Sequence, residues 1–369
     1  TAMRITAAVS RDPQVAPRLE ELELEPPRAD EILVRMATAG ICHTDLRAHA
    51  GVIALTPKPV VLGHEGAGTV EAVGTGVRHV KPGDRVVLSG SSCGHCSRCR
   101  AHLPSYCVEG MHRSFSASRL DGSMALRLGG EPVHSHFFGQ SSFATHAVAD
   151  ARGAVKLPDD VPFQVASPLG CGVITGAGAV LRSYGLRAGQ DFAVFGAGGV
   201  GLSAVMAARI AGARRIVAIE PLAWRRELAL ELGATDAIDP AAGDPVAAVR
   251  AVCPDGVDFA LNTTTLPAVF EAGQRVLGAR GVLGFVSGTA QPFAFPLYPL
   301  LVGGQSLRGL VGGDADPQTF IPLLLDYWRQ GRFPVEKLIQ VFPFGDIAGA
   351  FEACRTGAVI KPVLSILQE

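Results

Sequence analysis

The chain has 369 residues, of which 48% are hydrophobic and 18% charged, and its formal net charge is −1 at pH 7. This length favours two domains in a well-packed globular protein. The near-neutral charge excludes the basic surface that nucleic acid requires and the polybasic face that a membrane attracts. The apolar runs are broken by Gly, Pro or charge well short of a membrane span. No signal-peptide pattern opens the chain, and four closely spaced cysteines favour metal binding over disulfides, so a reducing cytoplasm is expected.

Short apolar runs separated by charged and Pro-rich turns fill the first part of the chain, which is typical of a β-rich domain. Strands are predicted at 5–8, 32–36, 60–62, 68–73, 85–88 and 143–148. From about residue 172 to 311, apolar strands at 192–195, 216–219, 258–261 and 282–286 alternate with Ala/Leu helical patterns. This alternation predicts βαβ units and a parallel sheet. The last part of the chain predicts helices at 317–329 and 347–356 and a strand at 363–366.

Four cysteines follow the spacing C-x2-C-x2-C-x7-C: Cys93, Cys96, Cys99 and Cys107. Four thiolates at this spacing can surround one tetrahedral zinc ion, and such a closed shell leaves no position for a substrate. We therefore predict a structural zinc that holds a loop without a core of its own. Disulfides are disfavoured in a chain without an export signal. The thiols could also bind an iron–sulfur cluster, or be unrelated buried cysteines.

A second group of ligand-type residues is dispersed along the chain: Cys42 in G-I-C-H-T-D, His64 in G-H-E-G and Cys171 in G-C-G. Two thiolates and one imidazole form the ligand set of a catalytic zinc with an open fourth position. A single cysteine, however, is more often a small buried hydrophobe. Spacing alone does not show that the three residues converge.

A glycine-rich stretch follows the predicted strand at 192–195 and precedes a helical pattern. Its glycines, Gly196, Gly198 and Gly201, have the spacing G-x-G-x-x-G. They would allow a tight turn, close approach of the backbone to a pyrophosphate, and packing of the helix on the strand. Glu220 ends the next strand, where a carboxylate would bind an adenosine ribose. We predict a dinucleotide site here rather than a merely structural turn.

The motifs G-x-C-H-x-D, G-H-E-x-x-G, C-x2-C-x2-C-x7-C, G-C-G and G-x-G-x-x-G occur in this order. The chain thereby resembles the zinc-dependent alcohol dehydrogenases of the medium-chain dehydrogenase/reductase superfamily over essentially its whole length. Stretches 138–144 and 168–179 resemble the aryl-alcohol dehydrogenase branch. The resemblance implies an α/β fold: a GroES-like, β-rich catalytic domain at 1–172 and 312–369, and a Rossmann domain with a doubly wound parallel sheet at 173–311.

The resemblance also assigns two Zn²⁺ ions per chain, the structural one above and a catalytic one held by Cys42, His64 and Cys171. Glu65 would visit the catalytic metal during ligand exchange, and Asp45 would orient His64. Thr44 would hydrogen-bond the alcohol oxygen and begin the exit of its proton. An ordinary turn threonine is the alternative.

One position departs from the family pattern. Arg47 stands where many relatives have a histidine that completes the proton relay, and arginine does not shuttle protons. The proton would leave through the ribose and water, or His43 or His49 would substitute. His43 lies where relatives place a basic group against the pyrophosphate, which we favour over a relay role or a solvated loop. His49 is expected to be exposed.

The implied cofactor is NAD, with contacts expected from Thr175, Gly196, Gly198, Gly199, Val200, Gly201, Glu220, Arg225, Val286, Gly288 and Lys361. Glu220 favours NAD because a carboxylate accepts from the ribose 2′-OH and repels a 2′-phosphate. Arg225 and Arg226 would suit NADP, but a solvated helix face or adenine contacts explain them more simply. Lys361 is expected at the pyrophosphate, with a surface salt bridge as the alternative.

The expected reaction is hydride transfer between NAD and an aromatic or allylic primary alcohol, or its aldehyde. The expected pocket residues are Ile53, Ser89, Phe137, Phe138 and Leu310, although the apolar four would serve equally as core. An edge strand at 306–311, within 300–311, would pair two subunits into a homodimer or homotetramer, as family members do. We assign no role to the thiols Cys253 and Cys354 beyond structure, and none to His79, His95, His102, His112, His134, His136 and His146.

Three further functions remain open. A glutathione-dependent formaldehyde dehydrogenase shares the enzyme class. A dinucleotide-binding sensor without turnover would keep the fold, but all the ligand-type residues are present. A zinc-free quinone reductase of the same fold is disfavoured by the same residues.

Overall fold

The computed structural model describes residues 2–289 and 291–367, so the ends of the expected domain ranges at 1 and 369 lie outside it. The strands in this part of the chain are β1 (Met3–Ser10), β2 (Arg18–Leu24), β3 (Glu31–Gly40), β4 (Val60–Val61), β5 (Glu65–Val73), β6 (Arg85–Leu88), β7 (Leu126–Leu128), β8 (Glu131–Val133), β9 (His146–Asp150), β10 (Ala154–Lys156), β11 (Asp191–Phe195), β12 (Arg215–Ile219), β13 (Asp236–Ile238), β14 (Val257–Asn262), β15 (Leu277–Phe285), β16 (Ser306–Gly309), β17 (Ile339–Pro343) and β18 (Lys361–Ser365).

The α-helices are α1 (His43–His49), α2 (Ser97–Arg100), α3 (Gly110–Phe115), α4 (Phe163–Ala166), α5 (Gly172–Gly178), α6 (Gly199–Ala211), α7 (Ala223–Leu232), α8 (Pro245–Val252), α9 (Pro267–Arg275), α10 (Leu297–Gly303), α11 (Pro317–Arg329) and α12 (Ile347–Thr356). In the described part of the chain, no single helix is long and apolar enough to cross a membrane. The helical segments at 163–170 and 172–184 are long and apolar enough only when they are taken together, and they are bent by 63° at the break between them.

The chain divides into two compact units. The first takes in the chain up to Cys171, Asp316–Leu325 and the chain from Val335 onward, and the second takes in Gly172–Ala315 and Asp326–Pro334. These units differ from the expected ranges chiefly at 312–315 and 326–334. Residues 312–315 belong to the second unit because the Gly313 backbone lies against α5. A Cβ added to Gly178 would be 2.7 Å from the Gly313 carbonyl oxygen. The Arg332 guanidinium also donates to the Ile210 carbonyl.

Two largely antiparallel sheets build the first unit. One has the order β4-β1-β2-β7-β8, and the other β10-β6-β5-β3-β18-β17, with β9 also paired to β3. Strand β2 lies in a segment that the sequence patterns indicate as a charged turn. Its glutamates alternate with Leu22 and Leu24, which are buried in the core. The expected strand at 143–148 begins only at His146, because Ala144 instead forms a bridge to Ala7 of β1.

A parallel six-stranded sheet forms the second unit, with the order β13-β12-β11-β14-β15-β16. The four expected strands are confirmed as β11, β12, β14 and β15. The short β13 is absent from the sequence prediction because its three residues are only half-buried and carry little apolar pattern. Strand β16 lies at the sheet edge, as expected, and its residues are exposed. Strand β11 and helix α6 flank the glycine-rich stretch, so the sheet places that stretch at its carboxyl edge.

Candidate active site and metal centres

The four clustered cysteines converge on one point in the first unit. The sulfur atoms of Cys93, Cys96, Cys99 and Cys107 all lie within 4.8 Å of one another. Backbone N–H groups within the loop point at these sulfurs: Cys93 N donates to Cys107 Sγ at 3.2 Å, and Cys96 N donates to Cys93 Sγ at 3.3 Å. The loop is thus folded around its own thiols.

The sulfur spacing distinguishes between the possible chemistries of this cluster. Cys96 Sγ and Cys99 Sγ are 3.5 Å apart, and Cys93 Sγ and Cys99 Sγ are 3.9 Å apart. A tetrahedral ion with Zn–S bonds of about 2.3 Å requires a sulfur separation of roughly 3.8 Å. A disulfide would require about 2.05 Å. An iron–sulfur cluster, whose thiolates bind different iron atoms, would require a wider cage. The cluster therefore fits one zinc ion.

The dispersed residues also converge. Ligand atoms of Cys42, His64, Glu65 and Cys171 lie within 4.8 Å of one another. Cys42 precedes α1, His64 directly precedes β5, Glu65 begins β5, and Cys171 lies at the end of the first segment of the first unit. A hydrogen bond with Cys171 and the positive charge of Lys361 lower the pKa of the Cys42 thiol, against the opposing effect of burial. A thiolate is the form of cysteine that binds a metal.

His64 supplies the test of whether this cluster fits a metal. Its ring is 1% exposed, and its Nε2 atom has no hydrogen-bond partner in the part of the chain that the structure describes. A buried polar atom without a partner is unfavourable. A zinc ion bound to Nε2 and to the two thiolates would satisfy it and keep a fourth position open. The residues therefore fit a catalytic zinc.

Asp45 holds the other nitrogen of this imidazole. Its Oδ1 lies 2.9 Å from His64 Nδ1 and accepts from Gly63 N at 3.1 Å, while its Oδ2 accepts from Cys42 N. Because the carboxylate requires a proton on Nδ1, it leaves the lone pair on Nε2 for a metal. Asp45 thus lies where the family resemblance placed it, and it links the two loops that carry ligands.

Replacing Asp45 by alanine is expected to weaken zinc binding at the Cys42–His64–Cys171 site about 10- to 100-fold, because the imidazole loses its orienting acceptor. Zinc transfer to a coloured chelator measures this loss. The matched control is Asp346→Ala, which removes the N-cap of α12. An Asp45→Ala variant that holds zinc as tightly as the wild type would contradict the role.

Lys361, which was expected at the pyrophosphate, lies beside the ligand cluster. It is 5% exposed, and its Nζ donates to Glu65 Oε1 at 2.8 Å and to the Ile41 carbonyl at 3.2 Å. Burial lowers the pKa of its ammonium group, but the negative charges of the Glu65 carboxylate and the Cys42 thiolate raise it, and the net pKa lies above its ordinary value. The alternative, a surface salt bridge, is wrong, because β18 lies beside β3 and buries the pair that Lys361 forms with Glu65. Lys361 therefore balances the charge of the ligand cluster.

Residues of α1 lie beside the ligands. The Thr44 hydroxyl is 3.9 Å from Cys42 Sγ and is half-buried, whereas His43 and Arg47 are exposed. The expectation that His49 is exposed is wrong. It is 8% exposed, its Nδ1 lies 2.7 Å from Ser10 Oγ, and its ring meets Phe351 edge-on. This packing engages the imidazole in the core and leaves it unsuited to a proton relay.

The expected pocket residues occupy different environments. Phe138 is half-buried and stacks on the His64 ring at 4.6 Å between centroids, whereas Phe137 is fully buried and meets it edge-on at 5.8 Å. Ile53 is half-buried against the same core. Ser89 donates to the Gly170 carbonyl at 2.7 Å. In the second unit, Leu310 is buried, and a Cβ on Gly284 would lie 2.9 Å from it.

The glycine loop of the second unit has the geometry that its spacing predicts. Gly196 has φ +96°, which favours glycine, and a Cβ on Gly201 would lie 1.9 Å from the Gly196 oxygen. At Gly198, by contrast, a Cβ would meet nothing within 4 Å. Gly198 is also the N-cap of α6 and offers no side-chain cap to its amides. This open helix N-terminus fits a diphosphate, which its N–H groups would bind.

Glu220 is hydrogen-bonded to the same glycine loop. Its Oε2 accepts from Ala197 N at 2.8 Å and its Oε1 from Leu222 N at 3.0 Å, and the residue is 3% exposed. A carboxylate has about four acceptor positions, so both oxygens keep capacity for a ribose hydroxyl. Arg226 donates to the Glu220 and Pro221 carbonyls and pairs with Asp239. The guanidinium of Arg226 is therefore held by the protein itself.

The remaining expected cofactor residues all lie in the second unit: Gly199 and Val200 begin α6, Thr175 lies on α5, Arg225 on α7, and Val286 and Gly288 follow β15. Val286 N donates to the Asn262 carbonyl, so it is placed at the carboxyl end of β14. Arg225 lies over the Trp224 ring at 5.1 Å. These placements are compatible with the expected contacts.

Sequence reasoning assigned no role to Gln140, whose side chain holds the start of β5 beside His64. Its Oε1 accepts from Gly66 N, and its Nε2 donates to the His64 carbonyl, both at 3.0 Å. It also missed a buried charge cluster of Glu31, Arg119 and His136. The sequence carried no signal for either, because each depends on contacts between distant segments.

Comparisons with known proteins agree with this geometry. Residues 28–159 match the family model of the alcohol dehydrogenase GroES-like domain, and residues 199–326 match that of the zinc-binding dehydrogenases. The chain is 49% identical to a geraniol dehydrogenase of Castellaniella defragrans over 97% of this chain and 96% of that protein.

Two solved structures extend the similarity to the whole fold. An alcohol dehydrogenase zinc-binding domain protein from Burkholderia ambifaria is 45% identical over 100% of both chains, with a TM-score of 0.97. Benzyl alcohol dehydrogenase from Acinetobacter calcoaceticus is 39% identical over 99% of this chain and 100% of that one, with a TM-score of 0.95. With its two clusters of metal-ligating side chains and its glycine loop, the chain belongs to the zinc-dependent alcohol dehydrogenases of the medium-chain dehydrogenase/reductase superfamily.

Proposed function

We propose that this alcohol dehydrogenase uses NAD to oxidise primary alcohols whose carbinol carbon is next to a double bond or an aromatic ring, and that it also reduces the corresponding aldehydes. The observation that carries the proposal is the convergence of Cys42, His64 and Cys171 around a buried imidazole nitrogen, with the Phe138 ring against the same imidazole. This arrangement combines a metal site with an aromatic wall.

The side chains of the first unit have different roles in the proposed reaction. Cys42, His64 and Cys171 would hold a zinc ion that polarises the substrate oxygen, and the dinucleotide on the glycine loop would accept the hydride. The Thr44 hydroxyl, 3.9 Å from Cys42 Sγ, accepts the alcohol proton and passes its own proton toward solvent. Asp45 keeps the proton of His64 on Nδ1.

The substrate class follows from the residues beside His64. Phe115 packs edge-on against Phe138, whose ring stacks on His64, and the fully buried Phe137 supports both rings from the core, so the half-buried Phe115 and Phe138 form an apolar surface at the ligand cluster. Such a surface favours an apolar substrate with a flat π system over a small hydrated one. The relatives named for geraniol and benzyl alcohol support this choice, since both alcohols have the carbinol carbon next to a π system.

The preference for NAD rests on Glu220 and Arg226. A buried carboxylate at the end of β12 repels a 2′-phosphate, and Arg226 is engaged with Asp239 and two carbonyls rather than available to bind that phosphate. Because both effects act in the same direction, NAD is the proposed cofactor and NADP the alternative.

Replacing Glu220 by alanine is expected to raise the KM for NAD about tenfold and to reduce discrimination against NADP, because a hydrogen bond to a charged acceptor is lost. Steady-state kinetics with both cofactors measures the change. Glu227→Ala, on the exposed face of α7, is the control. If Glu220→Ala keeps the wild-type ratio of kcat/KM for NAD and NADP, Glu220 does not select the cofactor.

The function is tested by following NAD reduction with benzyl, cinnamyl, allylic and short aliphatic alcohols, with and without a zinc chelator. Preference for the aromatic and allylic alcohols, lost on chelation, is the expected result. Activity confined to short aliphatic alcohols would contradict the substrate class. A requirement for glutathione with formaldehyde would favour the adduct dehydrogenase, and a lack of activity on all substrates would favour a dinucleotide-binding sensor.

We also propose that β16 pairs two copies of the chain. The edge strand is exposed, and neighbouring apolar side chains on α10 are exposed as well: Leu297, Tyr298, Leu301 and Val302. An unpaired strand edge beside apolar surface favours association with a second copy. Light scattering after size-exclusion chromatography should give a homodimer or a homotetramer, and a monomer would contradict the proposal.

A further inference from the structure

The turn at 135–142 has an unusual backbone. His136, Phe138 and Ser141 have positive φ angles of 65°, 52° and 50°, and Gly139 has 69°. Residues with a Cβ rarely adopt this left-handed region, and a bulky ring such as that of Phe138 makes the conformation unfavourable. Strained backbone of this kind persists only where its surroundings enforce it, and it is concentrated at functional sites. The question is which contacts enforce the strain here.

A buried charge cluster, which we call the Glu31 cluster (Glu31, Arg119 and His136), anchors the first strained residue. Glu31 Oε1 accepts from Arg119 Nε at 2.7 Å and lies 3.0 Å from His136 Nε2, and all three residues are buried. Burial alone would raise the pKa of Glu31, but hydrogen bonds from His136 and Arg119 lower it to about 2. The Glu31 carboxylate therefore stays ionised near neutral pH and keeps its attraction for the Arg119 guanidinium.

Ser135 fixes the other side of the His136 ring. Its Oγ lies 3.0 Å from His136 Nδ1 and accepts from Ala125 N at 3.0 Å. Each nitrogen of the His136 ring has a polar partner in this network, since Nε2 lies beside the Glu31 carboxylate and Nδ1 beside the Ser135 hydroxyl. Both ring nitrogens are engaged, so the His136 side chain has one orientation and holds its own backbone in the left-handed conformation.

A second anchor holds the far end of the turn. Ser141 Oγ donates to the Val61 carbonyl at 2.6 Å and accepts from Phe137 N at 2.9 Å. Gln140 accepts from Gly66 N of β5 and donates to the carbonyl of His64, the residue before that strand. With both ends tied to different strands, the residue between them has little freedom. That residue is Phe138.

Phe138 lies against a ligand of the catalytic cluster. Its ring is tilted 28° from the plane of the His64 imidazole, with the centroids 4.6 Å apart, and Phe137 meets the same imidazole at 83°. Asp45 fixes one edge of the imidazole, but a single hydrogen bond leaves the ring free to tilt about that contact. The stacked Phe138 ring covers the face of the imidazole and limits this tilt, which fixes the direction of Nε2.

From these contacts we propose that the Glu31 cluster is a positioning device for the catalytic metal: it enforces the strained turn at 135–142, which stacks Phe138 on His64 and thereby sets the direction of the ligand nitrogen. The inference rests on the proposed function only in that His64 is a metal ligand. In this device Phe138 and His136 are positioning residues, because they act on the metal through His64. Since Phe138 also belongs to the proposed aromatic wall, the cobalt spectrum and zinc release, rather than kcat and KM, decide its positioning role.

A merely stabilising cluster would behave differently from a positioning device. If it served stability alone, its loss would lower the melting temperature and leave metal geometry unchanged. If it positions His64, its loss changes the coordination at one metal site and leaves the four-cysteine site as it was. The two metal sites within one chain therefore provide an internal control.

The experiment compares the wild type with Phe138→Leu, Phe138→Tyr, His136→Ala and Glu31→Gln, each loaded with Co²⁺ at the catalytic site. The readouts are the visible d–d spectrum, the release of zinc from each site to a chelator, kcat and KM for benzyl alcohol, and the melting temperature. Thr38→Val is the matched control, because Thr38 lies on β3 as Glu31 does and loses a buried hydrogen bond, to the Phe163 carbonyl.

Phe138→Leu and His136→Ala are expected to shift the cobalt bands, to speed zinc release from the catalytic site about tenfold, and to lower kcat, with release from the four-cysteine site unchanged. Phe138→Tyr, which keeps the ring, should retain the wild-type spectrum. If His136→Ala does not fold, Glu31→Gln removes the charge while keeping the shape.

Variants that melt earlier, as Thr38→Val is expected to do, yet keep the wild-type cobalt spectrum and release rates would overturn the proposal. A wild-type chain that binds two metals but oxidises no alcohol would contradict the proposed function instead. The cobalt spectra and release rates would still decide the positioning role in that case.

Discussion

Replacing Cys42 by alanine is expected to lower kcat for every alcohol by about a thousandfold or more and to reduce zinc from two ions per chain to one. Cys42 is one of only three residues expected to hold the catalytic ion permanently, since Glu65 is paired with Lys361. A zinc ion contributes several kcal/mol of transition-state stabilisation, and each 1.36 kcal/mol is worth a factor of ten in rate. The assay is NAD reduction together with metal analysis.

The fold should survive this change. The Cys42 side chain adds little to the core, and its backbone N–H still donates to Asp45 in the variant. Cys253→Ala is the matched control, because it removes a thiol that is 2% exposed in the core of the second unit. That control should keep both zinc ions and near-normal turnover. Normal activity in Cys42→Ala would remove this cluster from catalysis.

Replacing Cys96 by alanine is expected to affect stability rather than chemistry. The loop at 93–107 contains the short helix α2, which has no buried residues, so its order depends on the sulfur cluster. Binding of a structural zinc contributes its free energy to folding. We expect a loss of roughly 3 kcal/mol or more, and a melting temperature lower by about 6–12 °C. Calorimetry with metal analysis measures both.

The control for this second change is Ser97→Ala, an exposed residue of the same helix. It should melt within a degree or two of the wild type. The specific activity of the Cys96→Ala molecules that remain folded should stay within a few-fold of normal, because the Cys42–His64–Cys171 site does not use this sulfur. A Cys96→Ala protein that is fully stable and still binds two zinc ions would contradict the structural role.

Local patterns were sufficient for the elements with strong periodicity. Helices at 317–329 and 347–356, together with the strand before the glycine loop and the helix after it, were confirmed, because each combines apolar periodicity with a turn or cap signal. Apolar periodicity did not predict strand β2, because four of its seven residues are charged. Its pairing with β1 shows that Leu22 and Leu24 point into the core.

The placement of Lys361 and His49 shows a different limit. Both are polar residues near the ends of elements, where a sequence favours exposure. The structure buries each of them: Lys361 beside Glu65, and His49 between Ser10 and Phe351. A buried polar residue is acceptable only when a specific partner satisfies it. Each of these partners is at least 39 residues away along the chain.

The sequence by itself determined the two motifs whose residues are close together along the chain, the four clustered cysteines and the glycine loop. The order of all the motifs also indicated the family. Each of the two motifs depends on short spacing, which the backbone converts directly into geometry. Only the tertiary structure decided that Cys42, His64 and Cys171 meet, that Lys361 pairs with Glu65, and that the Glu31 cluster reaches Phe138 and His64. These contacts join residues on different strands and loops. The distances between such residues depend on which strands pair, and the spacing of residues along the chain does not specify that pairing.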